Sequence, residues 1–150
     1  MDIQDKGSIW IRMATAEAPN TTANFQKLAR EGFYNGSVFH RYGPDEGQPA
    51  FIQGGDPNTK TKPLTDPSIG TGTPGYTINF EANPLQHKVG AIAMARGSSL
   101  NSAGCQFYIC HQDIPGFDGD YVIFGKVIGG LSVATSLRRG DKLLEAAELN

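Results

Sequence analysis

The amino-acid sequence predicts a mainly β protein in which short strands and two helices form a closed or nearly closed β structure. Short β-favouring runs recur between clusters of Gly, Pro, Asn and Asp, and they number about eight. Only two segments change to the helical period. Strands do not alternate regularly with helices, and no internal repeat is present, so a parallel βαβ architecture is disfavoured.

The length and charge of the chain narrow the classes of function. A chain of 150 residues indicates one domain covering residues 1–150. Its 13 basic and 15 acidic residues nearly balance, so neither nucleic acid nor an anionic membrane is expected as a partner. No apolar run approaches the ~20 residues of a membrane span, and the first residues lack the layout of a signal peptide. We therefore expect a cytoplasmic, monomeric protein.

The first elements are a strand and a helix. The run from Ser8 to Met13 alternates apolar with small or charged residues and predicts a strand. The segment from Pro19 to Glu31 predicts an amphipathic helix, because Pro19 suits its first turn and Gly32 suits the position after its end. Its buried stripe is expected to contain Thr22, Phe25, Leu28 and Ala29.

The rest of the chain is predicted to be mostly strands. Further strands are expected at 37–42, 51–54, 76–80, 90–95, 105–110 and 122–127. Asp118-Gly119 is expected to form a tight turn, and a second helix is expected from Leu131 to Arg139, stopped by Gly140. The tail from Lys142 to Leu149 could be a helix by composition, but a closing strand is the prediction. Long loops, where functional residues often lie, are expected at 43–50, 56–75 and 96–104.

Alternation along the strands predicts which residues face the same side. Phe51 and Gln53 are two apart, as are Gln106 and Tyr108, so each pair places an aromatic ring and an amide on one side. The apolar residues expected to face the opposite side and fill the interior are Ile52, Ile92, Phe107 and Ile109. The alternative is that the two pairs are half-buried edge residues. Cys105 and Cys110 should face opposite sides and stay reduced.

Other chemistries find little support in the sequence. The glycines of GTGTPG, residues 70–75, match a dinucleotide-binding pattern, but they follow a loop and lead into a predicted strand, so a turned loop is favoured. His40, His87 and His111 are scattered without metal-ligand spacing, which favours surface or hydrogen-bonded roles. Cys105 has no evident base for nucleophilic catalysis. Neither a metal nor a cofactor is expected.

Six motifs occur in order along nearly the whole chain: APNT (18–21) with Asn24-Phe25, GSVFHR (36–41), QGGDP (53–57), MAR (94–96), AGCQF (103–107) and VIFGKV (122–127). With these motifs the sequence resembles the cyclophilins, a family of peptidyl-prolyl cis/trans isomerases. The resemblance implies an eight-stranded antiparallel closed barrel capped by two α-helices. It also implies that the protein assists folding by acting on proline-containing peptides or unfolded proteins.

The resemblance also assigns roles to residues. Arg41 matches the catalytic arginine, and Gln53 matches the glutamine of the family's QGGD motif. The positions that hold the bound peptide correspond to Ala95, Arg96 and Gln106. Tyr108 and Phe117 match residues that line the apolar proline pocket, and Tyr121 matches a residue at its rim.

Several positions depart from the family pattern. Ala50 stands where the family usually has phenylalanine, and the spacing from Arg41 to Gln53 is longer, so Phe51 is predicted to act as a shifted pocket aromatic beside an insertion. Tyr108 replaces the usual phenylalanine and adds a hydroxyl that needs a partner if buried. Gly116 replaces a tryptophan important for cyclosporin, which predicts weak cyclosporin binding. The polar insertion at 43–50 could instead dock a particular partner.

Arg41 suits the expected chemistry because its guanidinium is always charged and presents a rigid fork of donors. Such a donor near the prolyl nitrogen would favour the twisted amide over the planar one. Ala50 and Tyr108 leave open a second hypothesis, a proline-peptide binding or chaperone-like module that catalyses poorly. An active isomerase is favoured, because Arg41 and Gln53 are both present within intact motifs.

Overall fold

The computed structural model describes residues 1–149 and is mainly β, as predicted. Within these residues two α-helices are present, α1 (Pro19–Arg30) and α2 (Leu131–Ser136). The strands of the described residues are short and number nine, one more than expected: β1 (Asp2–Ile3), β2 (Gly7–Ser8), β3 (Trp10–Met13), β4 (Arg41–Gly43), β5 (Phe51–Gly54), β6 (Ala91–Met94), β7 (Phe107–Cys110), β8 (Ile123–Gly129) and β9 (Leu143–Glu145). No helix within residues 1–149 has both the length and the apolar character needed to cross a membrane.

The strands form two antiparallel sheets. The larger sheet has the order β3-β8-β6-β7-β5-β4, and the smaller has the order β2-β1-β9. Across residues 1–149 these two sheets are not joined into one closed ladder, so the expected closed barrel is not confirmed. The strand count was wrong because the first run is interrupted at the buried Ile9 and because β1 is too short to give a periodic signal.

The central strands divide their side chains between two apolar clusters. The interior cluster contains Ile52, Ile92, Phe107 and Ile109, as alternation predicted. The second cluster, on the opposite face, contains Phe51, Ala93, Tyr108 and Cys110. In the interior, the fully buried ring of Phe107 contacts the rings of Phe25, Tyr34 and Phe39 at centroid distances of 5.4, 5.5 and 6.1 Å. Cys105 and Cys110 are buried free thiols that fall in different clusters, which confirms the prediction.

Helix α1 packs against the sheet as its pattern predicts. Pro19 occupies its first turn, where a missing N–H costs nothing, and Gly32 follows its end with a φ of +68°. The predicted stripe, Thr22, Phe25, Leu28 and Ala29, is buried. The first-turn amides of Asn20 and Thr21 donate to the carboxylate of Glu81, which satisfies free donors at the positive end of the helix.

Four predicted segments differ in the structure. Of the strand expected at 37–42, only Arg41 and Tyr42 belong to β4, and Val38 makes an isolated bridge to Lys142, because residues 36–39 bond to segment 140–143 instead. Residues 76–80 make a single bridge, Ile78 with Ala103, and no strand, because the amide of Phe80 donates to the side chain of Asn101 instead of to a neighbouring strand. Helix α2 ends at Ser136 and not at Arg139, since the fully buried Leu137 adopts extended backbone. The tail forms a strand only at Leu143–Glu145.

His40 and His111 turn their ring nitrogens into the protein. His40 is buried whereas His111 is half-buried, and the ring nitrogens of both have no hydrogen-bond partner within residues 1–149, so the hydrogen-bonded role is not found for either and the surface role is wrong for His40. Burial lowers the pKa of His111 from its ordinary value of 6.5 to about 4, and the nearby cation of Arg138 contributes in the same direction.

The protonation of His111 should make the fold sensitive to acid. Because its pKa is 6.5 in the unfolded chain and about 4 in the fold, the unfolded state binds the extra proton between these values. Stability that is present above pH 6.5 is therefore lost as the pH falls towards about 4. When the pH is lowered from about 7 to about 4.5, we expect the melting temperature of His111→Leu to fall less than that of the wild-type protein, as measured by circular dichroism. Equal losses would contradict this origin of acid sensitivity.

Candidate active site

The strand pairing brings Arg41 next to Gln53 and Phe51. Arg41 is the first residue of β4 and lies directly opposite Gln53 of β5. Its Nη1 donates to Oε1 of Gln53 at 3.0 Å, and its guanidinium carbon lies 5.5 Å from the centroid of the Phe51 ring. The arginine is exposed, so solvent screens its charge until a bound molecule covers it.

A line of amide hydrogen bonds begins at Arg41 and ends at the glycine-rich loop 70–75. Nε2 of Gln53 donates to Oε1 of Gln106 at 2.9 Å. Nε2 of Gln106 donates in turn to the carbonyl oxygens of Gly70 and Gly72, at 2.9 and 3.0 Å. Because carbonyls accept only, they fix the orientation of both amides and leave the oxygen of Gln53 facing Arg41. The loop thus presents carbonyls to this network, whereas a phosphate site would present amides.

Four aromatic rings form one continuous cluster beside Arg41. Phe51 and Tyr108 come from neighbouring strands, while Phe117 and Tyr121 come from the turn between β7 and β8. Ring centroids within this cluster are 5.0 to 6.1 Å apart. The tight turn predicted at Asp118-Gly119 is present, with the Asp120 amide bonded to the Phe117 carbonyl and a φ of +81° at Gly119.

The segment at residues 95–97 forms the facing wall. The amide of Ala95 donates to the carbonyl of Gln106 at 3.0 Å. Arg96 donates through Nε and Nη2 to the carbonyl of Asp120, and its guanidinium carbon lies 4.7 Å from the centroid of the Tyr121 ring. A cavity of about 230 Å³ lies between this wall and the two amides, lined in part by Gln53, Gly72, Thr73, Ala95, Arg96 and Gln106.

The structure brings nearly all the predicted site residues to one face of the larger sheet. Ala50 is the exception, since it precedes β5 and its carbonyl accepts from the amides of His111 and Gln112. The aromatic ring at this point comes from Phe51, two residues before Gln53. Within residues 1–149, no group of three or more His, Cys, Asp or Glu side chains is arranged to hold a metal ion.

Sequence reasoning did not place His87 and Asp118 in the site. The hydrogen-bonded alternative expected for His87 is confirmed, and its side chain is 1% exposed and lies under the aromatic cluster. Nε2 of His87 lies 2.9 Å from the Tyr108 hydroxyl, and Nδ1 lies 2.8 Å from Oδ1 of Asp118. The available signal was the unusual hydroxyl of Tyr108, which needed a partner and obtains one here.

Fold and site together define a mainly β protein that presents an arginine, two amides and an aromatic cluster on one face of its larger sheet. The family model described as cyclophilin type peptidyl-prolyl cis-trans isomerase/CLD matches residues 1–147. The chain therefore belongs to the cyclophilin-type peptidyl-prolyl cis-trans isomerases, and it catalyses the isomerisation of peptide bonds that precede proline.

Individual relatives agree with the family model. Peptidyl-prolyl cis-trans isomerase B of Bacillus subtilis is 40% identical over 146 residues, which cover 95% of this chain and 92% of the relative. A peptidyl-prolyl cis-trans isomerase of Synechococcus elongatus is 41% identical over 143 residues, covering 93% and 88%. A cyclophilin type isomerase of Cryptosporidium parvum, crystallised in the presence of the dipeptide Ala-Pro, has a TM-score of 0.79 at 25% identity, covering 97% of this chain and 96% of its own.

Removing the central amide should weaken peptide binding. Gln106→Leu would leave Nε2 of the buried Gln53 without an acceptor and free the carbonyls of loop 70–75. We expect about a tenfold rise in the dissociation constant of a short X-Pro peptide, measured by NMR titration. The matched control is Gln112→Leu, because Gln112 makes a single exposed bond to the carbonyl of Gln48. Equal affinities of both variants would contradict a role for the amide line.

Proposed function

We propose that Arg41 is the catalytic group of this isomerase and that Gln53 orients it. The observation that carries the proposal is the placement of the Arg41 guanidinium, which Gln53 holds beside the Phe51 ring. In this proposal the proline ring lies against Phe51, Tyr108 and Phe117, with Tyr121 at the rim. Ala95, Arg96 and Gln106 fix the peptide on the other side of the bond that turns.

The chemistry follows from the electronic structure of the peptide bond. Resonance gives its C–N bond partial double-bond character and a rotational barrier of ~18–20 kcal/mol. In the twisted state the nitrogen lone pair is localised, so it can accept a hydrogen bond that the planar amide nitrogen cannot. A permanently charged donor such as Arg41 therefore binds the twisted state better than either planar isomer, which is the condition for catalysis.

The size of the contribution depends on how well substrate covers the arginine. A preorganised donor in a water-excluded site contributes roughly 3–4 kcal/mol to the transition state. Arg41 is exposed in the free protein, so it reaches that range only when the peptide and the aromatic cluster displace water from one side of it. The remaining acceleration must come from holding one end of the peptide while the other end turns.

The substrates we infer are proline-containing peptides and unfolded proteins. The related Cryptosporidium isomerase was crystallised with Ala-Pro, which supports a short X-Pro segment as the unit of recognition. We further infer a single monomeric domain over residues 1–150. Backbone hydrogen bonds between segments 36–40 and 140–143 support closure of the two sheets into a barrel.

Removing the guanidinium should abolish most catalysis while binding persists. We expect Arg41→Ala to lower the catalysed exchange rate of a short X-Pro peptide about 100-fold, because a preorganised charged donor is lost. Arg41→Lys should be intermediate, since a lysine keeps the charge but not the fork of donors. Magnetisation-exchange NMR at saturating peptide measures the rate, and a titration measures the affinity.

Arg30→Ala is the matched control, because Arg30 lies on α1 and pairs with Glu148. Undiminished exchange in Arg41→Ala would refute the catalytic role of Arg41. Peptide binding without faster exchange in the wild-type protein would instead support a weakly catalytic binding module. That alternative draws on Ala50 and Tyr108, and the exposure of Arg41 adds to it.

Cyclosporin should bind weakly because Gly116 leaves space at the rim of the aromatic cluster. Gly116 lies in the 3₁₀ turn Pro115–Phe117, and a Cβ atom built there would meet no atom within 4 Å. Gly116→Trp can therefore be accommodated, and we expect it to tighten cyclosporin binding by at least about tenfold. Isothermal titration calorimetry of both proteins tests this. A nanomolar dissociation constant for the wild-type protein would contradict the inference.

A further inference from the structure

A hydrogen-bond chain runs beneath the aromatic cluster from Tyr108 through His87 to Asp118, and it is buried at Tyr108 and His87. Tyr108 and His87 are 3% and 1% exposed, so bulk water does not compete for their polar atoms. The Tyr108 hydroxyl lies 2.9 Å from Nε2 of His87, and Nδ1 of His87 lies 2.8 Å from Oδ1 of Asp118. The His87 amide also donates to this Asp118 oxygen, at 2.7 Å.

The directions of these bonds are determined by their ends. The backbone and ring N–H groups of His87 lower the pKa of Asp118, so its carboxylate is charged and can only accept. Nδ1 of His87 therefore donates to this carboxylate, and in the tautomer with its proton on Nδ1 the other nitrogen, Nε2, is an acceptor. Burial raises the pKa of Tyr108, which keeps its hydroxyl protonated and able to donate to Nε2.

His87 connects two separate parts of the cluster. Tyr108 belongs to the central strand β7 and forms the floor, with its ring 5.4 Å from that of Phe51. Asp118 follows Phe117 directly and opens the tight turn that leads to Tyr121. The His87 ring stacks on Tyr108 at 6.0 Å and meets Phe117 edge-on at 5.9 Å. The imidazole of His87 thus fixes the position of the Tyr108 ring relative to the turn that carries Phe117.

We propose that His87 is a positioning residue for proline binding, which holds the Tyr108 hydroxyl beneath the floor and fixes the turn that carries Phe117. A tyrosine at this floor can bind an apolar ring only if its hydroxyl has a partner elsewhere, because an unpartnered buried hydroxyl would compete for water or for the ligand. His87 supplies that partner. The inference rests on the proposed site, since it assumes that the proline ring lies on Tyr108.

This role predicts a particular kinetic signature. The floor contacts the proline ring in both planar isomers and in the twisted state alike, so loosening it removes uniform binding and raises KM. It leaves Arg41 and Gln53 in place, so kcat should change little. Loss of the catalytic arginine has the opposite signature, a lower kcat.

The experiment compares His87→Leu with the double variant His87→Leu/Tyr108→Phe. We expect the single variant to raise KM for an X-Pro peptide about tenfold, with kcat within about twofold of wild type. In the double variant the Tyr108 hydroxyl, which would lack a partner, is also removed, so KM should return most of the way to the wild-type value. Replacing both hydrogen-bond partners by apolar groups costs far less free energy than removing one. His111→Leu, another histidine replacement just beyond β7, is the control and should keep the wild-type KM.

Every outcome bears on the proposal. An unchanged KM in His87→Leu, or a double variant no better than the single one, would overturn it. If His87→Leu does not fold, His87→Asn replaces it in the experiment, because a shorter amide can keep the bond to Asp118 but does not reach Tyr108. The KM of this variant should rise similarly and recover with Tyr108→Phe.

Normal exchange in Arg41→Ala would refute the proposed catalytic arginine, whereas a low kcat in that variant with an unchanged KM in His87→Leu would refute only the role of His87.

Discussion

The antiparallel pairing of β5 with β7 is the constraint on which the rest of the structure depends. It places Gln53 opposite Tyr108 and Phe51 opposite Cys110, so that one sheet face receives the amide and both aromatic rings. The intervening residues Ile52 and Ile109 face the interior cluster. A shift of this pairing by one residue would exchange the two faces, burying the site and exposing the core. The stability of the interior and the composition of the site are therefore set by the same register.

Groups that can only accept hydrogen bonds determine how the polar side chains of the site are oriented. The carbonyls of loop 70–75 determine the orientation of the Gln106 amide, which determines that of Gln53 and so presents an acceptor to Arg41. On the other side of the cluster, the charged Asp118 determines the tautomer of His87. Both chains end on a group that can only accept hydrogen bonds, so each has a single consistent direction. Such networks hold side chains in one arrangement because every alternative leaves a polar atom unsatisfied.

The alternation of apolar residues along strands and the residues typical of helix ends made much of this structure predictable. The two faces of β5 and β7 followed from period-two spacing, and α1 followed from Pro19, Gly32 and its apolar stripe. Segment 76–80 could not be predicted, because its backbone bonds to a loop side chain that lies far away in sequence. The place of His87 in the site was not predicted for a similar reason, because only tertiary contacts distinguish a buried hydrogen-bonded histidine from a surface one. Local sequence carries periodicity and turn chemistry, but it does not carry partners from distant segments.

The use of main-chain oxygens by the amide line has a consequence for how this protein can diverge. Backbone carbonyls are the same for every residue type, so drift at Thr71 and Thr73 need not disturb the acceptors on either side of Thr71. Gly72 is different, because a Cβ there would collide with the carboxylate of Asp56 and with Pro57. Substitution at these two threonines is thus compatible with the amide line as long as the path of the loop, which positions the two carbonyls, is kept.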